Sequence, residues 1–188
     1  GRSIPVLRFY SWDKPVTTIG KFQKPEHCVN VDICHDDGIS VIRRITGGGA
    51  VFHGRELTYS ISVGTGTSQE LETLGRGMKF LIGAVRDALR DMGFNAEIDS
   101  ANDILVDGHK ISGSAQFRAG GFVLHHGTVM LDDVSKRIER YLKRDHKGLG
   151  KKIDCMYNLA GIDNAGKIKK IESELRHGIR QRISGLLK

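Results

Sequence analysis

Asn102-Asp103-Ile104-Leu105-Val106-Asp107-Gly108-His109-Lys110-Ile111-Ser112-Gly113-Ser114-Ala115-Gln116 is the stretch on which the fold turns. Asp107-Gly108 sits between two strand-like runs. A two-residue hairpin turn of type I′ needs positive φ at both central positions, which Asp and Gly tolerate, so the pair is a strong hairpin signal. It predicts antiparallel strands over 103–106 and 109–116. Phe122 to Leu131 predicts another strand after them, and 95–98 one before.

Toward the N-terminus, Leu57-Thr58-Tyr59-Ser60-Ile61-Ser62-Val63 alternates with period two, the pattern of a half-buried strand, and Gly64-Thr65-Gly66-Thr67 ends it. Residues 4–10, 15–22, 39–45 and 50–53 also read as strands. Ser68 reads as a helix N-cap with Glu70 and Glu72 in the first turn. Met78, Leu81, Ile82, Val85, Leu89 and Met92 then form one apolar helical face, and Gly93 suits the stop. A short helix is expected near Val134, Ile138, Tyr141 and Leu142. After an irregular basic stretch through Gly161, a final amphipathic helix is expected through Ile168, Ile171, Leu175, Ile179, Ile183 and Leu186. Strand runs punctuated by helices give an α+β fold, a mixed and mainly antiparallel sheet flanked by helices.

A chain of 188 residues with 39% hydrophobic and 27% charged content is expected to form a single domain over 1–188. No apolar run reaches the ~20 residues that span a bilayer, and no signal-peptide pattern opens the chain, so no membrane role and a cytoplasmic location are expected. The net charge of +7 is concentrated in Lys136 to Lys152 and Lys167 to Lys188. Such runs are solvated helix faces or a means of steering an acidic partner. Nucleic acid is disfavoured, because few aromatics accompany the basic residues and no recognition motif is present. Cys28, Cys34 and Cys155 are an odd set without a C-x-x-C pair, which argues against a disulfide framework. Their spacing to His27 and His35 fits no common zinc module, so they read as reduced thiols in or near a loop.

The second informative stretch is Arg43-Arg44-Ile45-Thr46-Gly47-Gly48-Gly49-Ala50-Val51-Phe52-His53. Adjacent glycines bare their backbone N–H groups and permit positive φ, so a phosphate or carboxylate can approach the main chain. The arginines add fixed positive charge, and a guanidinium can grip an anion with two bonds. Together with 102–116, Leu124-His125-His126-Gly127-Thr128-Val129-Met130-Leu131, and the opening Pro5 to Trp12 and Ile19 to Gln23, this block resembles the lipoate–protein ligases. These belong to the wider biotin/lipoate ligase and octanoyltransferase superfamily, and the resemblance runs from about residue 4 to about residue 162.

That resemblance implies an ATP-dependent reaction in which lipoate or octanoate becomes an acyl-adenylate. The acyl group then passes to a lysine of an acceptor lipoyl domain, an E2 subunit or H protein. It implies Lys110 as the catalytic cation, contacting acyl carbonyl and phosphate. It places ATP and acyl-adenylate at Arg44, Gly47, Gly48, Gly49, Ala50, Val51, Phe52, His53, Asn102, Asp103 and Lys110. It places the lipoyl pocket at Gly49, His53, Ser112, Gly113, Ser114, Ala115, His126 and Gly127. Mg2+ would accompany ATP, with Asp103 as a weak metal candidate. For each residue the plain alternative is structural: an exposed hairpin lysine, turn-capping Asn102 and Asp103, and hydrogen-bonded histidines at strand ends.

An octanoyl- or lipoyl-transferase would work through a cysteine thioester and needs an activated thiolate. The stretches where transferases carry it, Asn95 to Ala101 and Gln116 to Leu124, contain no cysteine. His53-Gly54-Arg55-Glu56-Leu57-Thr58-Tyr59-Ser60 is nonetheless transferase-like. Biotin ligation fits less well, since Arg44 to Gly49 replaces a GRGR-type loop, and a non-catalytic lipoyl-binding subunit is a further alternative. The family's N-terminal helix and C-terminal accessory domain are not expected within this sequence, which suggests a separately encoded accessory subunit or a truncated chain.

Overall fold

The computed structural model describes residues 4–99, 102–143, 154–159 and 165–187. In chain order these form β1 (Val6–Tyr10), β2 (Val16–Ile19), α1 (Pro25–Cys28), α2 (Val31–Asp36), β3 (Ser40–Arg43), β4 (Val51–His53) and β5 (Glu56–Gly64). There follow α3 (Leu74–Asp91), β6 (Ala96–Ile98), β7 (Asp103–Val106), β8 (His109–Ala119), β9 (Phe122–Met130), α4 (Ser135–Tyr141), α5 (Met156–Leu159) and α6 (Ala165–Leu186). The basic run over 144–153 and the segment 160–164 lie outside the described residues.

A six-stranded sheet has the order β1-β5-β9-β8-β7-β6, with every pairing antiparallel. A three-stranded sheet has the order β3-β2-β4, in which β2 pairs parallel with β3 and antiparallel with β4. The mixed, mainly antiparallel architecture follows from the hairpins. Asp107 and Gly108 take φ of 48° and 78°, the positive values that their turn demands.

The large sheet has two faces with different fates. One carries Leu57, Tyr59, Ile61, Val123 and Val129 against α3 and α6, where Leu81, Val85, Leu89, Leu175 and Ile179 complete a buried core. Its opposite face meets the small sheet across a second core built from Ile19, Phe52, Met130, Ile138 and Tyr141.

Two local expectations are corrected. Ser68 caps only a single 3-10 turn over Gln69–Leu71 by accepting from the Glu70 amide, and the long helix starts later, with Thr73 accepting from Arg76 N. Cys28 and Cys34 lie in the short helices α1 and α2 rather than in a loop, and with Cys155 they are buried in the second core. Helices of one turn carry too little periodicity to be read from sequence.

Candidate functional site

The triple-glycine bend is held from its carbonyl side. Arg44 Nη2 donates to the carbonyls of Gly47 at 3.0 Å and Gly49 at 2.8 Å. Nη1 of the same side chain donates to Thr18 Oγ1 at 2.8 Å and to the Thr18 carbonyl at 3.1 Å. Arg43 donates to the carbonyls of Gly20, Lys21 and Gln23. The two-bond grip expected for an incoming anion is thus made on the protein's own backbone. Because the carbonyls turn toward the guanidinium, the amides are left over. Among the described residues no hydrogen bond leaves Gly47 N, Gly48 N or Gly49 N. Gly48 takes φ of 95°, and a Cβ on the facing Gly20 would collide with the Gly48 carbonyl. Burial lowers the Arg44 pKa, with Cys28 opposing the shift.

Register decides which motif residues share a face. Across the large sheet, Tyr10, Thr58, Thr128, Gly113 and Asp103 form one row, and Arg8, Ser60, His126 and Ala115 the next. Side chains of a regular strand alternate, so Lys110 and Gly113 should point to opposite faces. They do not. The pairing shifts from Ile104–Ser112 to Leu105–Lys110, leaving Ile111 as the extra residue of a β-bulge. Ile111 and Ser112 both turn into the core, and Lys110 returns to the face of Gly113. Lys110 Nζ lies 2.9 Å from Asp103 Oδ1, and both side chains lie over the open Cα of Gly113. Ala115 on the same face approaches Gly48 of the bend. Lys110, Asp103, Gly113, Ala115 and His126 are therefore brought together beside the glycines.

Ser112, Ser114 and Gly127, expected in the lipoyl pocket, lie on the core face instead. Ser112 and Ser114 are buried, and Ser114 Oγ is 3.0 Å from the Tyr59 hydroxyl. Gly127 is small for the sake of that tyrosine, since a Cβ there would lie 2.5 Å from Tyr59 Oη and 2.7 Å from Ser114 Oγ. Asn102 acts structurally, its side-chain amide donating to the Ser114 carbonyl while its own carbonyl accepts from Ser114 N.

The histidines differ in role. His125 is buried on the core face, and desolvation with the neighbouring His126 pushes its pKa down to about 3. His126 on the cleft face lies 2.8 Å from Thr46 Oγ1. Burial, then the charge of Arg44, lower its pKa to about 4, which keeps the imidazole neutral near pH 7. His53 is 4% exposed, packed at a tilt against Trp12 with ring centroids 4.4 Å apart, and bonded on both nitrogens to Thr18 and Glu56. It is a buried link behind the bend. Val51 and Phe52 of β4 pair with Thr18 and Thr17, and Phe52 stacks on Tyr141 in the second core, while Ala50 packs at that core's edge.

A cavity of about 360 Å3 opens beside Glu56, with Trp12, Pro15, Leu131 and Arg137 in its wall. Thr18 carried no signature in the sequence, and Trp12, Glu56 and Thr128 lay inside the quoted motifs without a role of their own; the pairing of Thr128 with Gly113 and Thr58 is what places them. Among the described residues no group of three or more metal-ligating side chains exists. Asp103, already paired with Lys110, does not fit a resident metal centre, and an ion accompanying a nucleotide is held chiefly by the phosphates. Burial raises the Cys34 thiol pKa, the opposite of what a reactive thiolate requires. Among the described residues no helix is long and apolar enough to cross a membrane.

The model of the lipoyl protein ligase A/B catalytic domain matches residues 1–174. An octanoyltransferase LipM of Bacillus cereus is 32% identical over 151 residues, covering 68% of this chain and 54% of its own length. That of Geobacillus kaustophilus is 29% identical over 181 residues, covering 78% of this chain and 65% of its own. The chain thus spans between about half and two thirds of the length of these relatives. Among solved structures, a bi-partite lipoate protein ligase with its E2 lipoyl domain, from Thermoplasma acidophilum, superposes with a TM-score of 0.79 at 26% identity, covering 98% of this chain and 72% of that one. Lipoate-protein ligase A bound with ATP gives 0.81 at 25% identity, with coverage of 98% and 73%.

Proposed function

Since this chain belongs to the lipoyl protein ligase A/B catalytic-domain family, we propose that it activates lipoate or octanoate with ATP and passes the acyl group to a lysine of a lipoyl acceptor domain. The observation that carries this reading is the Ile111 bulge, which returns Lys110 to the face where the bare Gly47–Gly49 amides wait. In the first step the acid's carboxylate oxygen attacks the α-phosphorus of MgATP and pyrophosphate leaves. The crowding of anions is the barrier. Backbone amides of the bend take phosphate oxygens, the Arg44 charge sits behind them, and Lys110 Nζ spans acyl carbonyl and phosphate. No reorganisation is needed, because Arg44 already holds the bend and Asp103 already holds Lys110.

In the second step a deprotonated lysine amine attacks the mixed anhydride and AMP departs, so no protein nucleophile is required. The positive charge of the chain favours an acidic acceptor, an E2 lipoyl domain or H protein, mainly through on-rate. We place this chemistry in the cytoplasm, in a single catalytic domain; the bi-partite ligase on which the chain superposes makes a separately encoded accessory subunit a partner to test.

Incubation with lipoate and α-labelled ATP tests the reading: acyl-AMP should form and disappear when an acceptor domain is added. Lys110→Ala should form it at least about a hundredfold more slowly. Adding a candidate accessory subunit should raise the rate, and full activity without it would reject the split arrangement.

The names of the sequence relatives favour a second reading, octanoyl transfer between carrier proteins through a cysteine thioester. Against it stand the burial of Cys28, Cys34 and Cys155 at 4%, 1% and 1% exposure. Capture of a hydroxylamine-sensitive thioester from an octanoylated carrier, without ATP, would replace the first reading with the second. Tight lipoate binding without turnover would support a binding subunit.

A further inference from the structure

The triple-glycine bend has an anchor that begins well behind it. Glu56 Oε1 is 2.5 Å from His53 Nδ1, His53 Nε2 is 2.8 Å from Thr18 Oγ1, and Thr18 Oγ1 is 2.8 Å from Arg44 Nη1. Arg44 then binds the carbonyls of Gly47 and Gly49. Counting protons fixes the direction of every bond. A guanidinium only donates, so the Thr18 oxygen accepts from Arg44 and its single proton is left for His53 Nε2. The Glu56 carboxylate only accepts, so the proton of a neutral His53 ring sits on Nδ1, and the bare Nε2 accepts from Thr18. The same carboxylate oxygen also accepts from Trp12 Nε1 at 3.1 Å and from Thr58 Oγ1 at 3.0 Å. Glu56 is 4% exposed, Thr18 2% and His53 4%, so the links among these three side chains are shielded from bulk water.

We infer that Glu56 is a positioning residue for the anion-binding bend, acting through the His53 tautomer, the Thr18 hydroxyl and the Arg44 guanidinium. Its carboxylate selects the one imidazole tautomer that accepts from Thr18, and that choice leaves the Thr18 oxygen lone pair facing Arg44. The opposite tautomer would present an N–H to Thr18 and take away the acceptor of the hydroxyl proton, so the lone pair that Arg44 uses would no longer be fixed. The guanidinium would keep the Thr18 carbonyl but hold the Gly47 and Gly49 carbonyls less rigidly. The inference rests on the bend serving the proposed acyl-adenylate chemistry, and it makes Glu56 a device for pre-shaping that bend.

The test joins kinetics to a measurement that needs no activity. Nitrogen-15 spectra of the His53 ring in the wild-type chain should show a protonated Nδ1 and a bare Nε2. Glu56→Ala should mix the tautomers and broaden the Arg44 guanidinium protons. It should raise KM for lipoate and ATP about tenfold while kcat stays within about threefold, as expected for lost preorganisation of binding. Glu56→Gln keeps an acceptor oxygen of the same reach and should restore KM to within about threefold of wild type. Thr18→Val breaks the chain in its middle without touching Glu56. It should reproduce the KM rise while leaving the Nδ1 proton in place, so a folding defect of Glu56→Ala does not leave the question open. A proton found on Nε2 in the wild type, or an unchanged KM in Thr18→Val, overturns the inference. If no adenylation occurs in any variant the proposed reaction fails, yet the ring-nitrogen and guanidinium spectra still decide the relay.

Discussion

Lys110 and Asp103 form an ion pair, Nζ to Oδ1 2.9 Å, across the strands that the Asp107-Gly108 turn joins. The pair lies over Gly113, so the ammonium is aimed rather than swinging free as a hairpin lysine would. That relationship separates two substitutions. Lys110→Ala should cut acyl-AMP formation by about a hundredfold or more, the scale of losing one preorganised charge donor. Asp103→Asn keeps the cation but unpins it, and should cost about tenfold. Initial rates of adenylation measure both, and equal effects would mean that Asp103 does more than aim the lysine.

The core face offers a purely structural prediction. Gly127→Ala puts a Cβ 2.5 Å from the Tyr59 hydroxyl and 2.8 Å from its ring carbon, inside a fully buried cluster. Overpacking of this kind costs about 1–3 kcal/mol, read as a lower midpoint in urea. Combining it with Tyr59→Phe should recover part of the loss, because the closest atom is gone while the ring carbon remains. An additive double mutant would refute this account of the glycine.

These residues also mark how far the sequence could be read. The Asp107-Gly108 turn and the alternation of Leu57 to Val63 were legible because turn chemistry and period-two burial are local properties. The partition of the Ser-Gly-Ser-Ala motif was not. It depends on the bulge at Ile111, and a bulge is fixed by what the partner strand offers. Without the register, Ser112, Ser114 and Gly127 look like neighbours of Lys110, although they face the helices. Arg44 was legible as a cation beside the bend, but not as the clamp on its carbonyls, because Thr18 is far away in sequence. Glu56 was hidden for the same reason.

Acid should weaken the fold through its histidines. His126 and His125 have pKa values lowered by burial to about 4 and about 3, against 6.5 for an ordinary histidine. Between those values the unfolded chain binds protons that the folded chain refuses. Their contribution to stability is therefore present above pH 6.5 and is lost as pH falls toward 4. Each histidine adds a slope of up to about 1.4 kcal/mol per pH unit in that window. Urea midpoints at pH 7, 6 and 5 should fall in step, and His126→Gln, which keeps a polar partner for Thr46, should flatten the fall. A midpoint independent of pH over this range would contradict the burial of both rings.

Gly20 supplies the sharpest test that the bend is a binding element and not a mere connection. A Cβ at Gly20 would collide with the Gly48 carbonyl, which is backbone and has no rotamer to yield. Gly20 also donates its amide to Gln23 Oε1 and accepts from Arg43 through its carbonyl, so it cannot move aside alone. The bend must therefore shift, and the Gly47 and Gly49 carbonyls must leave Arg44. Both sheets lie outside this contact, so Gly20→Ala should lower Tm by only a few degrees, the change that about 1 kcal/mol produces in a chain of this size. Adenylation should drop far more, by about a hundredfold, because a displacement of about 1 Å in a positioning loop costs that much. Ala in place of Gly47 is the internal control, since the space around its Cβ position is empty of other atoms within 4 Å. That variant should keep its Tm and lose activity only if the added methyl stands where the phosphate must lie. Two equally active alanine variants would show that the bend only joins two strands.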